Sequence, residues 1–170
     1  MKKYLKNRGY SLVEMIIYVG ILSLVSAVVV SMLLSFAVSY RNVTALRLAE
    51  NSGFYSMERM IRDIISATSV DSGNSTFGVS PGVLTIVSTY NAVSTTTKFY
   101  VDNGLLKVDI NGSYFGPLNS TNTIITNLVF TRLVNNFSNA IKIDLTVRGT
   151  AGEIMKDKIY HSTVILRGAN

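Results

Sequence analysis

Few residues in this chain could do chemistry, and the most informative is a carboxylate in an apolar place. Between Tyr10 and Tyr40 the one charged residue is Glu14. A carboxylate at the centre of a membrane-spanning helix costs roughly 2.5–3.5 kcal/mol, less near an interface, so it asks for a partner. Ahead of it stand Lys2, Lys3, Lys6 and Arg8, and then Gly9. The other candidates are weaker. His161 is the only histidine; it lies in a strand-like stretch with no local motif that would make it part of a Ser-His-Asp arrangement. Asp102, Asp109, Asp144, Glu153 and Asp157 are scattered over turns and alternating positions. Asp102-Asn103-Gly104 starts like part of a calcium loop but lacks the later ligand positions and the closing Glu. There is no Cys, hence no thiolate nucleophile, no Cys-based metal site and no disulfide. No Gly-rich phosphate loop appears. The sequence asks for no metal and no cofactor, and a catalytic role is not expected. Tyr90, Tyr100, Tyr114 and Tyr160 offer aromatic contacts to a ligand or to DNA, but cross-strand packing accounts for them more simply. Asn-x-Ser/Thr sequons start at Asn42, Asn74, Asn111, Asn119 and Asn136, unremarkable in a chain rich in Asn, Ser and Thr.

The elements around Glu14 follow from the pattern. A helix needs about 20 mostly apolar residues to cross a bilayer, and Met15 to Tyr40 is ample. The basic residues of the first nine positions keep that end cytoplasmic, which puts everything after Tyr40 outside. They also account for much of the formal charge of +6: beyond Gly9, 12 basic residues face 10 acidic ones. That balance is too weak and scattered for an electrostatic nucleic-acid footprint. An ordinary secretory signal is a rival reading, because Ser35-Phe36-Ala37 has the small-x-small form of a cleavage site. The apolar run before it, however, is longer than the usual 7–15 residues of such signals, and helical patterning continues past it.

Residues 41–68 read as a continuation of the same helix, with Val43, Leu46, Ala49, Phe54, Met57, Ile61, Ile64 and Ile65 at helical spacing. Glu58 and Arg62, and Arg59 and Asp63, are four apart and support an exposed face. The first half of the helix is apolar all round and the second amphipathic, so the second lays a stripe on a folded domain. From Ser11 to Thr68 the helix would measure roughly 85–90 Å. Gly53 weakens it by about 1 kcal/mol relative to Ala, either as a bend or as a tolerated Gly. Residues 69–82 have loop composition. Residues 83–170 are strand-like. Lys98 to Val101 and Leu105 to Ile110 flank the hairpin signal Asp102-Asn103-Gly104, and Asn111-Gly112 opens a further turn. Ile141, Ile143, Leu145 and Val147 alternate with Lys142, Asp144, Thr146 and Arg148, a half-buried strand. The expectation is an α+β fold: a long N-terminal helix, transmembrane over about 15–40, packed through its amphipathic half on an antiparallel sheet of five to seven strands.

Arg8-Gly9-Tyr10-Ser11-Leu12-Val13-Glu14, with the apolar run behind it, resembles the class III signal of type IV pilins and type II secretion pseudopilins. In that family a prepilin peptidase cuts after a Gly on the cytoplasmic side, the new first residue, usually Phe, becomes N-methylated, and a Glu follows four residues later. The resemblance implies a leader over residues 1–9, cleavage and methylation at Gly9 and Tyr10, and an assembly role for Glu14. Tyr10 replaces the usual Phe, and the mid-span Pro common in the family is missing. The physical logic is separable from the family. Cleavage would create an α-amine on Tyr10, with a pKa near 8 and so largely cationic at neutral pH. A helix N-terminus disfavours a cation and favours a carboxylate, so the amine needs an anion. Glu14 of another subunit, Glu14 of the same subunit, and a Glu14 that simply snorkels to the headgroups are the three arrangements open. Met57-Glu58-Arg59-Met60-Ile61-Arg62-Asp63-Ile64 with Ala67, and the closing Val164-Ile165-Leu166-Arg167, are similar to minor pilins of the W type and J-type minor pseudopilins.

The resemblance further implies a pilin-like fold and, as partners, a prepilin peptidase, other pilins or pseudopilins, the inner-membrane assembly platform and the membrane itself. Nucleic acid enters only indirectly, through DNA-uptake pili. The chain would lie single-pass in the inner membrane, N-terminus cytoplasmic, and then in an extracytoplasmic filament. The rival class is a permanently membrane-tethered extracytoplasmic binding module with an uncleaved signal anchor. It explains span and sheet equally well, but not the spacing of Gly9 and Glu14.

Overall fold

The structure, a computed structural model, describes residues 11–134 and 139–167. One helix, α1, spans Leu12–Ser66. The chain divides into two compact units, one reaching to Tyr40 and the other beginning at Arg41.

In the first unit α1 is apolar on every side, and its side chains from Leu12 to Tyr40 are almost all exposed. An 18-residue window of mean hydropathy 2.5 makes it long and apolar enough to cross a membrane. Four of its serines bond within the helix. Ser23 Oγ donates to Gly20 O, Ser26 to Leu22 O, Ser31 to Val28 O and Ser35 to Ser31 O, at 2.8–3.0 Å. Hydroxyls that back-bond to their own helix are compatible with a solvent that offers no hydrogen bonds.

In the second unit, Arg41 to Ser66 of α1 packs on antiparallel strands. These are β1 (Ser69–Val70), β2 (Leu84–Tyr90), β3 (Val93–Asp102), β4 (Leu105–Ile110), β5 (Ser113–Pro117), β6 (Thr123–Val134), β7 (Asn139–Ala151) and β8 (Ile154–Ile165). They form two sheets, one ordered β1-β2-β3-β4-β5 and the other β6-β7-β8. A single sheet of five to seven strands was expected, and three features bear on the larger number of strands. The stretch 69–82, expected as a loop, contains β1, where Val70 pairs with Ile86. Asn91 and Ala92 turn the chain between β2 and β3 at φ values of 48° and 64°. The hairpin from β7 to β8 turns on Gly152, at φ 66°. The turns at Asn103-Gly104 and Asn111-Gly112 fall where the sequence marks them, all four residues having positive φ as two-residue hairpins require.

The sheets are laced together along β6. Gly78 N donates to Phe130 O, Gly82 N to Leu128 O and Ile125 N to Gly104 O, at 2.7–2.8 Å. The core joins both sheets to the helix. Phe99, Leu106, Val108, Leu128, Phe130, Ile141, Ile143, Leu145 and Val147 meet Ala49, Met57, Met60 and Ile64.

The buried helix stripe keeps Ala49, Met57 and Ile64 of the expected one, with Ile61 packed beside it, and otherwise differs. It runs through Ala45, Ala49, Ser52, Gly53, Ser56, Met57, Met60 and Ile64. Val43, Leu46, Phe54 and Ile65 lie outside it and are exposed, Phe54 at 60%. The cause is a very close approach of helix to strand. A Cβ added to Gly149 of β7 would stand 2.0 Å from Ala45 O and 2.8 Å from Ala49 N, so only small residues fit that face. Gly53 likewise marks a contact and interrupts nothing. α1 continues through it, and an added Cβ would meet Tyr160 Cε2 at 2.1 Å.

Candidate processing and assembly site

Gly9 and Tyr10 lie outside the described residues, so the geometry of this site begins at Ser11. Ser11 immediately precedes α1, in the N-cap position that Ser favours, and Met15 N donates to Ser11 O at 3.1 Å. That fixes the helix start and sets Glu14 in the first turn, where the exposed N–H groups and the dipole favour a negative charge. Its carboxylate has a partner. Tyr18 Oη donates to Glu14 Oε1 at 3.0 Å. Tyr18 is four residues on, one turn of helix, and so lies on the same face. Sequence reasoning missed this residue because it counted Tyr18 as one more member of the apolar run. The signal was available: a phenol four residues after the lone carboxylate.

The candidates of the second unit are spoken for within the fold. On the outer face of the three-stranded sheet, Asp144 pairs across strands with His161, Oδ1 to Nδ1 at 2.6 Å, and binds Lys142 Nζ through Oδ2 at 3.0 Å. The hydrogen bond to His161, then that to Lys142, holds the Asp144 carboxyl below its ordinary value of 3.8. Two rows away, Arg148 takes Asp157 in a bidentate pair at 2.6 and 2.8 Å, which lowers the Asp157 pKa through that hydrogen bond. The helix pairs Glu58–Arg62 and Arg59–Asp63 form as the spacing implies. Asp102 pairs with Lys107, and Tyr100 Oη donates to Asp109 at 3.2 Å.

Hollows open on this unit among the described residues. One, of about 530 Å³, is lined by Thr44, Leu48, Thr121, Asn122, Ile124, Thr150, Ala151 and Gly152, with no ionisable side chain among them. Another, of about 390 Å³, holds Glu50, Phe54, Tyr55, Lys158 and Tyr160 in its lining. Its two charges bind each other, Lys158 Nζ to Glu50 Oε1 at 2.7 Å, and Tyr160 Oη donates to Glu50 O at 3.0 Å. Asn119, a sequon residue, is buried. Its Oδ1 accepts from Leu106 N and its Nδ2 donates to Thr123 O, so the folded domain cannot present it for modification.

The observation that decides the character of the chain lies at its N-terminus. Residues 4–30 match the family model for the prokaryotic N-terminal methylation motif. The chain carries the class III signal of type IV pilins and pseudopilins. Such a prepilin-type signal implies processing by a prepilin peptidase and assembly with other pilins, and the apolar N-terminal helix fits a membrane-anchored, pilin-type protein. The long helix with antiparallel sheets on its second half is an α+β, pilin-like architecture. No curated protein and no solved structure matches the chain.

Proposed function

We propose that this protein is a structural, non-catalytic subunit, of the minor class, in a type IV pilus or a type II secretion pseudopilus. It is cleaved after Gly9, N-methylated at Tyr10, and drawn from the inner membrane into a filament as residues 10–40 exchange lipid for like helices. Glu14 of one subunit neutralises the Tyr10 amine of another. The observation that carries this reading is the methylation motif over residues 4–30, with Glu14 standing in the first turn of an unbroken apolar helix. The ion pairs of the second unit, each closed on itself, support a non-catalytic role.

The test is the mature N-terminus, read by intact mass and N-terminal peptide analysis after co-expression with a prepilin peptidase shown to be active on another substrate. The expected chain begins at N-methyl-Tyr10. A chain that keeps Met1 to Gly9 overturns the reading in favour of a permanent anchor, and a start near Val38 overturns it in favour of ordinary secretion. Glu14→Ala separates assembly from tethering: the variant should insert normally and enter filaments poorly. Unaltered assembly would refute the intersubunit pair.

A further inference from the structure

The hollow of about 530 Å³ lies in the second unit, beside the residues that directly follow the apolar run. Thr44 and Leu48 of α1 form one wall. The others are Thr121, Asn122 and Ile124, and the end of β7 at Thr150 and Ala151 with Gly152 of the turn. Those walls are tied to each other, Thr150 N donating to Asn122 O at 3.1 Å. The volume falls in the roughly 300–1,000 Å³ range of ligand sites. Arg41 stands at the edge. The face of α1 that meets β7 is small at Ala45 and Ala49, and one turn earlier the same face carries Arg41. A Cβ on Gly152 would lie 3.8 Å from Arg41 Nη1, so the guanidinium rests against a residue of the hollow. None of the ion pairs among the described residues uses Arg41. A guanidinium grips phosphate oxygens through paired N–H groups. Thr121, Asn122 and Thr150 bring hydroxyls and an amide that both donate and accept, while Leu48 and Ile124 are apolar. Glu153, exposed, follows Gly152 in the turn. The cation thus has one acid nearby, a balance that suits a singly charged phosphodiester better than a free phosphate dianion.

We propose that this hollow is a phospholipid headgroup site, filled while the subunit is anchored in the membrane: Arg41 holds the phosphodiester, and Thr121, Asn122 and Thr150 hydrogen-bond the polar head beyond it. The occupant follows from the place. Arg41 is the first residue past the apolar run and Thr44 is four past Tyr40, about 6 Å of helix, where headgroups are far more concentrated than any solute. The inference rests on the reading of residues 12–40 as membrane-resident.

The test uses the full, uncleaved chain, labelled with 15N-arginine, in phosphatidylethanolamine–phosphatidylglycerol vesicles. Solid-state NMR reads the dephasing of guanidinium 15N by nearby lipid 31P, and the Arg41 contribution is identified by its loss in Arg41→Gln. We expect Arg41 to be dephased in the parent chain. Ala151→Leu, which fills the hollow, and Thr150→Val, which keeps its shape but removes a hydroxyl, should each at least halve the effect. An Arg41 signal without dephasing overturns the proposal. Dephasing undiminished in both variants also overturns it, because Arg41 then only snorkels to the bilayer surface and the hollow is idle. A second sample, in maltoside micelles with millimolar inorganic phosphate, separates the sources. No dephasing is expected there, and its appearance overturns the lipid assignment in favour of a soluble phosphate. Retention of the chain on vesicles through a carbonate wash, checked on a parallel sample, reports the membrane span by itself. A chain that is retained but shows no dephasing refutes the headgroup site alone, whereas a chain washed off refutes the span on which it rests.

Discussion

Replacing Gly149 with Ala adds one methyl group at the closest approach of helix to sheet, and the consequence can be worked from the contacts. Gly149 lies on β7, the central strand of its sheet, paired with Thr123 on one side and Lys156 on the other. A glycine in such a place signals close backbone approach. The new Cβ would stand 2.0 Å from Ala45 O, 2.8 Å from Ala49 N and 3.1 Å from Ala45 C. All three atoms are backbone, so no side-chain rotation relieves the clash. The helix would have to lift by more than about 1 Å, loosening Ala45, Ala49 and their neighbours from the core. Overpacking generally costs about 1–3 kcal/mol, and an immovable partner puts this case at the upper end. The entropic gain of Gly→Ala returns about 0.5–1 kcal/mol. We expect a net loss of about 2 kcal/mol, roughly thirtyfold in the unfolding equilibrium by the rule of tenfold per 1.4 kcal/mol. Denaturant unfolding of the full chain in detergent micelles, followed by tyrosine near-ultraviolet circular dichroism, measures it. Gly53→Ala is the matched control. Its Cβ would meet the far end of the Tyr160 ring, which can swing away. About 1 kcal/mol of helix propensity is gained against about 1 kcal/mol for the lost Tyr160–Glu50 hydrogen bond, so stability should hardly change. If Gly149→Ala and Gly53→Ala unfold at the same midpoint as the parent chain, the close packing of α1 on β7 is wrong.

Two further predictions concern the sheets. Asn119→Ala strands Leu106 N and Thr123 O, which now bond to the Asn119 side chain at 2.7 and 2.8 Å. With buried orphans costing about 1–3 kcal/mol each, it should destabilise by about 3 kcal/mol in the same unfolding assay; a loss below about 1 kcal/mol would contradict the buried network. Asp144→Asn should cost less than about 1 kcal/mol at pH 7, the pair being partly exposed. Its folded pKa is depressed by the His161 and Lys142 hydrogen bonds, so its contribution is present above about pH 4 and is lost as pH falls through the lowered value. Parent and variant should converge once the pH is below that lowered value. A gap that persists there would show that the stabilisation is not electrostatic.

Much of this was legible in the residues. The long helix, its lone carboxylate, the Asn103-Gly104 and Asn111-Gly112 hairpins and the alternation of Ile141 to Arg148 all obey short-range rules of spacing and turn chemistry. The stripe on α1 was misread because hydrophobicity favours Val43, Leu46, Phe54 and Ile65. The true contact is chosen by size: Ala45 and Ala49 lie where Gly149 lets two backbones meet, Gly53 lies against Tyr160, and Ser52 bonds Thr123. The turn at Asn91-Ala92 escaped because Ala is not a residue that signals positive φ. The lacing of the two sheets depends on Gly78, Gly82 and Gly104 bonding to β6, contacts between distant parts of the chain that no local pattern announces. At the candidate site, type and spacing identified Glu14, while Tyr18 was lost to its classification as an apolar residue.

The bonds that pin β8 to the helix also set a schedule. Lys158 and Tyr160 reach Glu50 across 108 and 110 residues of sequence, and Arg167 N donates to Ile65 O at 3.3 Å. A chain made from its N-terminus produces this helix before any strand that covers it, and the strand that fastens it comes last. Closure must therefore wait for β8, more than a hundred residues after Glu50, and contacts of such long range make for slow folding. Until then Met57, Met60 and Ile64 have no sheet to lie on, and a nascent chain with its apolar side uncovered is prone to aggregate. With no cysteine to staple helix and sheet early, the pace at which this domain becomes safe from misassembly is set by the arrival of β8.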